Sequence, residues 1–149
     1  MIITPKVMDG LKHEAGHYIC ARSLGIPGKL LFNSKGDVND LKFVTFDFRQ
    51  VPALKKLEDS VVILLGGKHA EDLCRVKERG FYMDYLDAFK ILNEIYKIRG
   101  EPLPYESIGM SPEYFKQFDE QSRSIVTELG KEWLETEAEQ WAKQLSNLS

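Results

Sequence analysis

The sequence predicts a mainly α fold with one small β-hairpin. Three observations carry that reading. Apolar residues recur at helical spacing through four long segments, each punctuated by proline, serine, threonine or glycine. One short run, Phe43 to Phe48, is rich in aromatic and β-branched residues, as strands are. The 149 residues, 43% hydrophobic and 29% charged, suffice for one core, so residues 1–149 read as a single domain.

Thr4 is placed to cap the first helix, with Pro5 at its first position. Val7, Met8, Leu11, Ala15, Tyr18, Ile19 and Leu24 follow helical spacing, and Gly25 and Pro27 end the helix. Lys29 to Phe32 and Leu41 to Phe48 read as two strands joined by the turn-rich Asn33 to Asp37. Val44, Phe46 and Phe48 share one face of the second strand; Phe43, Thr45 and Asp47 share the other. The hairpin either covers one side of the core or offers an edge to an extended peptide.

Pro52 opens a second helix whose Leu54, Leu57, Val61, Leu64 and Leu65 make a broad apolar side, predicting a central, buried position. It continues through Ala70, Leu73 and Cys74. Gly66 and Gly67 inside it cost about 1 kcal/mol each relative to alanine, and close packing against the first helix would explain them. Lys77 to Gly80 is a connection. The third helix runs from Met83 to Arg99, with Leu86, Ala88, Phe89, Leu92, Ile95 and Tyr96 inward. The next stretch contains Pro102 and Pro104 and reads as a loop. Ser111-Pro112-Glu113 starts a last helix with Phe115, Phe118, Ile125, Leu129, Trp133, Ala138, Trp141 and Leu145 inward and a bend at Gly130. This long helix either packs across the others or offers the Trp133–Trp141 stretch to a partner.

A net charge of −3, with no block of lysine or arginine, argues against a nucleic-acid partner. The longest apolar run, Val61 to Leu65, falls far short of the roughly 18 residues of a membrane helix. The N-terminus lacks a signal-peptide pattern. Cys20 and Cys74 follow no metal or disulfide spacing and read as reduced, buried thiols of a cytoplasmic protein.

One stretch carries chemistry. His13-Glu14-Ala15-Gly16-His17 fits H-E-x-x-H on a helix. Residues four apart stack on one helix face, so both imidazoles can point at one metal ion. Glu14 sits one position round, able to reach a water at the metal without being a ligand. The flanking Tyr18, Ile19, Cys20, Ala21 and Leu24 continue an apolar helix, so an ordinary helix would bury three polar groups without purpose. Gly16 points to close approach by another backbone or by the third ligand.

That third ligand must come from elsewhere. Cys20 lies on the same face one turn on and reads as core. A longer three-histidine motif would need glycine and histidine where Cys20 and Ser23 stand, which excludes that class. Asp84 and Asp87 are carboxylate candidates. His69 is open between a ligand, an outer donor, a stabiliser of a tetrahedral intermediate and a surface histidine. Glu71 and Asp72 are placed to accept the N–H of a ligating imidazole.

His13-Glu14-Ala15-Gly16-His17 resembles the zinc site of the FtsH-type peptidases, the protease domains of membrane-anchored AAA proteases. Leu64 to Leu73 resembles that family's small-residue helix, with His69 where alanine is usual. Gly80-Phe81-Tyr82-Met83-Asp84, with Ala88 four residues on, resembles its G-x-x-x-D-x-x-x-A stretch. The three motifs agree in order and span most of residues 6–98. The resemblance implies a compact, helical, zincin-like peptidase domain, here without a Walker sequence and so standing apart from an AAA ATPase module. It implies Zn²⁺ held by His13, His17 and Asp84, a water activated by Glu14, and ATP-independent cleavage of flexible or unfolded polypeptides. It also implies a peptide-docking role for the Phe43–Phe48 edge, and leaves room for a homo-oligomer or a partner ATPase. The alternatives are a non-catalytic zinc-binding regulatory or interaction protein that keeps the fold, and a hydrolase of small amides. Intact Glu14 argues against the first, since a purely structural site has no use for a base.

Overall fold

The computed structural model describes residues 2–31, 42–45, 53–77, 79–100 and 112–147. Thr4 Oγ1 accepts the Val7 amide at 3.2 Å, and Pro5 opens α1 (Pro5–Ser23), as the sequence predicts. Arg22 stands in its last turn, Leu24 caps it, and Gly25 turns the chain away at φ 74°. Two four-residue strands follow, β1 (Gly28–Leu31) and β2 (Lys42–Thr45). They pair antiparallel, Gly28 opposite Thr45 and Leu31 opposite Lys42. β1 thus begins one residue earlier than expected. The expected strand positions Phe32, Leu41 and Phe46–Phe48, the Asn33–Asp37 turn, Pro52, the Pro102–Pro104 loop and the Ser111 cap lie outside the described residues.

Three long helices complete the chain: α2 (Ala53–Cys74), α3 (Tyr82–Arg99) and α4 (Pro112–Ser146). The fold is mainly α with one small hairpin. α2 is central and packs against α1, α3 and α4. Its Val61, Val62 and Leu65 are fully buried with Leu11, Ala15 and Cys20 of α1 and Leu92 and Ile95 of α3. α1 and α2 cross backbone to backbone: a Cβ on Gly16 would collide with the Gly66 carbonyl, and one on Gly66 would lie 2.5 Å from the Gly16 oxygen. That contact is the reason for both glycines. Among the described residues no helix is long and apolar enough to cross a membrane.

Two inward faces differ from expectation. In α3, Ala88, Leu92, Ile95 and Tyr96 are buried, but Leu86 is only half-buried. In α4, Leu129 is 43% exposed, whereas Phe118, Ser122, Val126, Leu134 and Ala138 are buried. Leu129 lies on the flank of the buried row Phe118, Ser122 and Val126, one residue before Gly130, which leaves helical geometry at φ 86° and ψ 170°. Trp133 stacks on Tyr18 at 6.0 Å and Trp141 meets the same ring edge-on at 5.6 Å, so both indoles pack on α1 of their own chain.

Candidate metal centre

α1 presents His13 and His17 on one face. Their Nε2 atoms lie 2.9 Å apart, and their rings meet edge-on at 83°. Asp84 stands in the first turn of α3, where the helix dipole favours a carboxylate. Its Oδ2 lies 2.8 Å from His13 Nε2 and 3.0 Å from His17 Nε2. Among the described residues, these three form the one His/Cys/Asp/Glu group tight enough to hold a metal ion. Asp87, the competing carboxylate, faces solvent.

The outer nitrogens decide what meets at that point. His13 Nδ1 lies 2.7 Å from Glu71 Oε1, and His17 Nδ1 lies 2.7 Å from the Ile63 carbonyl oxygen. A carboxylate and a carbonyl only accept, so both Nδ1 atoms donate. A neutral imidazole protonated at Nδ1 has a bare lone pair at Nε2. Two such lone pairs therefore face a carboxylate oxygen that is buried and accepts no hydrogen bond. Protons can relieve this. Burial alone would lower the His13 pKa, but the Asp84 and Glu71 carboxylates outweigh it and push the imidazole up to about 10. His17 is raised against burial chiefly by Asp84, and Asp84 is held well below the carboxylate range by both imidazoles although burial opposes it. A divalent cation relieves all three atoms at once, and two imidazoles with one carboxylate form a donor set of catalytic zinc.

α2 makes room for the rings. A Cβ at Gly67 would lie 2.5 Å from His13 Cε1 and 2.7 Å from His17 Nε2, so only glycine lets both imidazole edges rest against this helix. Glu71, fully buried one turn further along, ties the site together. Its Oε1 accepts from His13 and from the Gly80 amide at 2.7 Å, and its Oε2 accepts from Arg79 Nε at 2.8 Å. Arg79 also bonds Asp72 and lies over the Phe81 ring, 5.0 Å from its centroid. The connection that delivers Asp84 is thus fastened to the carboxylate that orients His13. Asp72 pairs instead with Lys68 and Arg79.

Glu14 is half-buried beside the cluster, where its charge helps raise both imidazoles, and its Oε2 accepts the Phe43 amide at 2.7 Å. A pocket of about 360 Å³ adjoins β2, lined by Phe43, Val44, Ser60, Ile63, Leu64 and Ile91. Another of about 390 Å³ lies between the end of α1 and α4, lined by Ile19, Arg22 and Trp133 among others, and includes none of the cluster residues.

His69 is not at the surface and does not join the cluster. It is 3% exposed and donates from Nε2 to Asp119 Oδ1 at 2.8 Å, linking α2 to α4. Cys20 is core, its Sγ 3.5 Å from Ser122 Oγ; Cys74 is also free and buried. Sequence reasoning missed the Ile63 carbonyl, the Phe43 amide, Arg79 and Asp119. The first two are main-chain groups with no residue signature; Arg79 is a common charged residue in a connection, and Asp119 lies on another helix far along the chain from His69. No protein-family model matches the chain, and no curated protein matches its sequence.

Proposed function

We propose that this chain is a zinc-dependent endopeptidase that cuts flexible or unfolded polypeptides, in the manner of the FtsH-type peptidases it resembles. The observation that carries the reading is the meeting of two imidazole lone pairs and the Asp84 carboxylate at one point, with a non-ligand glutamate beside them. Zinc bound there supplies a water of lowered pKa and polarises the scissile carbonyl. Glu14 would be the base: it takes the water's proton as the water oxygen bonds the carbonyl carbon, then passes that proton to the amine nitrogen as the C–N bond breaks. This leaves an acid and an amine, and the acid gives up its own proton to the amine or to solvent. His13 and His17 are fixed as donors by Glu71 and the Ile63 carbonyl. β2 offers its outer edge to an extended chain, and the pocket beside it suits an apolar side chain. Two free cysteines are in keeping with a cytoplasmic location.

The test is metal analysis of the purified protein together with cleavage of an unfolded chain, with and without chelator. Stoichiometric zinc and chelator-sensitive cleavage are expected. Zinc without cleavage of any unfolded chain or peptide would replace this reading with a non-catalytic zinc-binding protein.

A further inference from the structure

The Glu14–Phe43 contact joins the base to the edge of the sheet. In an antiparallel pair, successive residues turn their amides alternately toward and away from the partner strand. The Phe43 amide donates to Glu14, so it points away from β1 although Phe43 stands opposite Leu30. Phe43 and Thr45 therefore present their amides on the outer edge, and Val44 turns its amide toward β1. An outer edge of this kind is a template for another strand. At Phe43 the template is already taken, by a carboxylate oxygen standing where the carbonyl of a paired chain would bind.

We propose that the Phe43 amide holds Glu14 at rest, and that a chain pairing along β2 takes this donor and frees the base. The proposal rests on the peptidase reading above and adds the rule by which substrates are chosen. A carboxylate–amide bond is about twice as strong as a neutral one, so a single peptide carbonyl does not displace Glu14. A longer chain does, because it also bonds Thr45 and fills the pocket at Val44, Ile63 and Ile91. The substrates are extended segments, and short amides are poor ones even when they carry the same scissile bond.

Two measurements test this. In metal-free protein, which does not turn over, the Phe43 amide is followed by nuclear magnetic resonance. Glu14→Ala is expected to speed its solvent exchange by about 10-fold, the equivalent of one lost hydrogen bond. An extended peptide should shift the Phe43 and Thr45 amides while a dipeptide amide at equal concentration does not. A Phe43 amide indifferent to Glu14→Ala, or a bound peptide that leaves it unmoved, overturns the proposal, and neither result depends on hydrolysis. In the zinc enzyme, the long-to-short ratio of kcat/KM should fall by about 10-fold in Phe43→Pro, which removes the donor, and hold in Phe43→Leu, which keeps it. An unchanged ratio in the proline variant, with long peptides still cleaved, also overturns it. Absence of all cleavage in the wild type sinks the peptidase reading instead, and the amide measurement then decides the resting contact alone.

Discussion

The chain buries histidines in two places, and they behave differently. His13 and His17 are 8% and 6% exposed and His69 is 3% exposed, so burial does not separate them. Bonding does. His69 donates to Asp119, a complete donor–acceptor pair between two helices. His13 and His17 have already spent their donors on Glu71 and Ile63, and what remains points at Asp84 with no proton needed elsewhere to complete it. A buried histidine becomes a candidate ligand when its outer nitrogen is satisfied and its inner one is not.

Substitutions can break that contrast, beginning with the largest effect. Asp84→Ala should lower zinc affinity by well over about 100-fold, beyond the range of outer-partner changes, and remove hydrolysis; Asp87→Ala should bind zinc normally. A competition titration in which Asp84→Ala binds as tightly as wild type would refute the ligand set and move attention to Asp87, Glu71 and then His69. Glu14→Gln should keep stoichiometric zinc while kcat falls by about 10²–10⁴-fold, the usual worth of a general base; near wild-type turnover would take the base role from Glu14.

Arg79→Met should weaken zinc by about 10-fold by loosening Glu71 and the connection to Asp84, with Arg79→Lys recovering part of the loss. Equal affinity in both variants and wild type would make Arg79 a surface residue. At the other histidine, Asp119→Asn should leave zinc binding unchanged and cost about 1–3 kcal/mol of stability, the usual price of an impaired buried bond. Asp119 is held below its ordinary 3.8: burial opposes the shift, and the His69 bond overrides it. A depressed folded-state pKa stabilises above the unfolded value and is lost as pH falls below it. Urea denaturation across that range should show a steeper acid limb in wild type than in the variant.

Much of this was legible in the chain. Thr4 and Pro5 start α1 by local chemistry alone, and the four-residue spacing of His13 and His17 is enough to put them on one face. Gly66 and Gly67 announced a close approach, since nothing local favours them in a helix. Asp84 could be preferred over Asp87 by its place nearer the entry to the helix and by the resemblance, although both lie in the first turns of the same helix. Leu129 misled because the buried row of its segment is Phe118, Ser122 and Val126, and a polar residue in the middle of that row hides it from a reading of apolar spacing. The partners of Glu14 and His17 were beyond reach for another reason. They are main-chain groups, positioned by tertiary packing, and any residue type supplies them.

The crossing of α1 and α2 at Gly16 and Gly66 has a consequence for how this chain can drift. Where helices meet through side chains, a change of core volume moves their axes and whatever they carry. Here main chain rests on main chain, so the spacing between the two imidazoles and α2 is set by atoms that every sequence shares. Exchanges at Leu11, Val61 or Leu65 would then be felt as lost stability long before they are felt as displaced ligands. Most of the interior can therefore be exchanged while Gly16, Gly66 and Gly67 must stay for the two imidazoles to keep their place against α2.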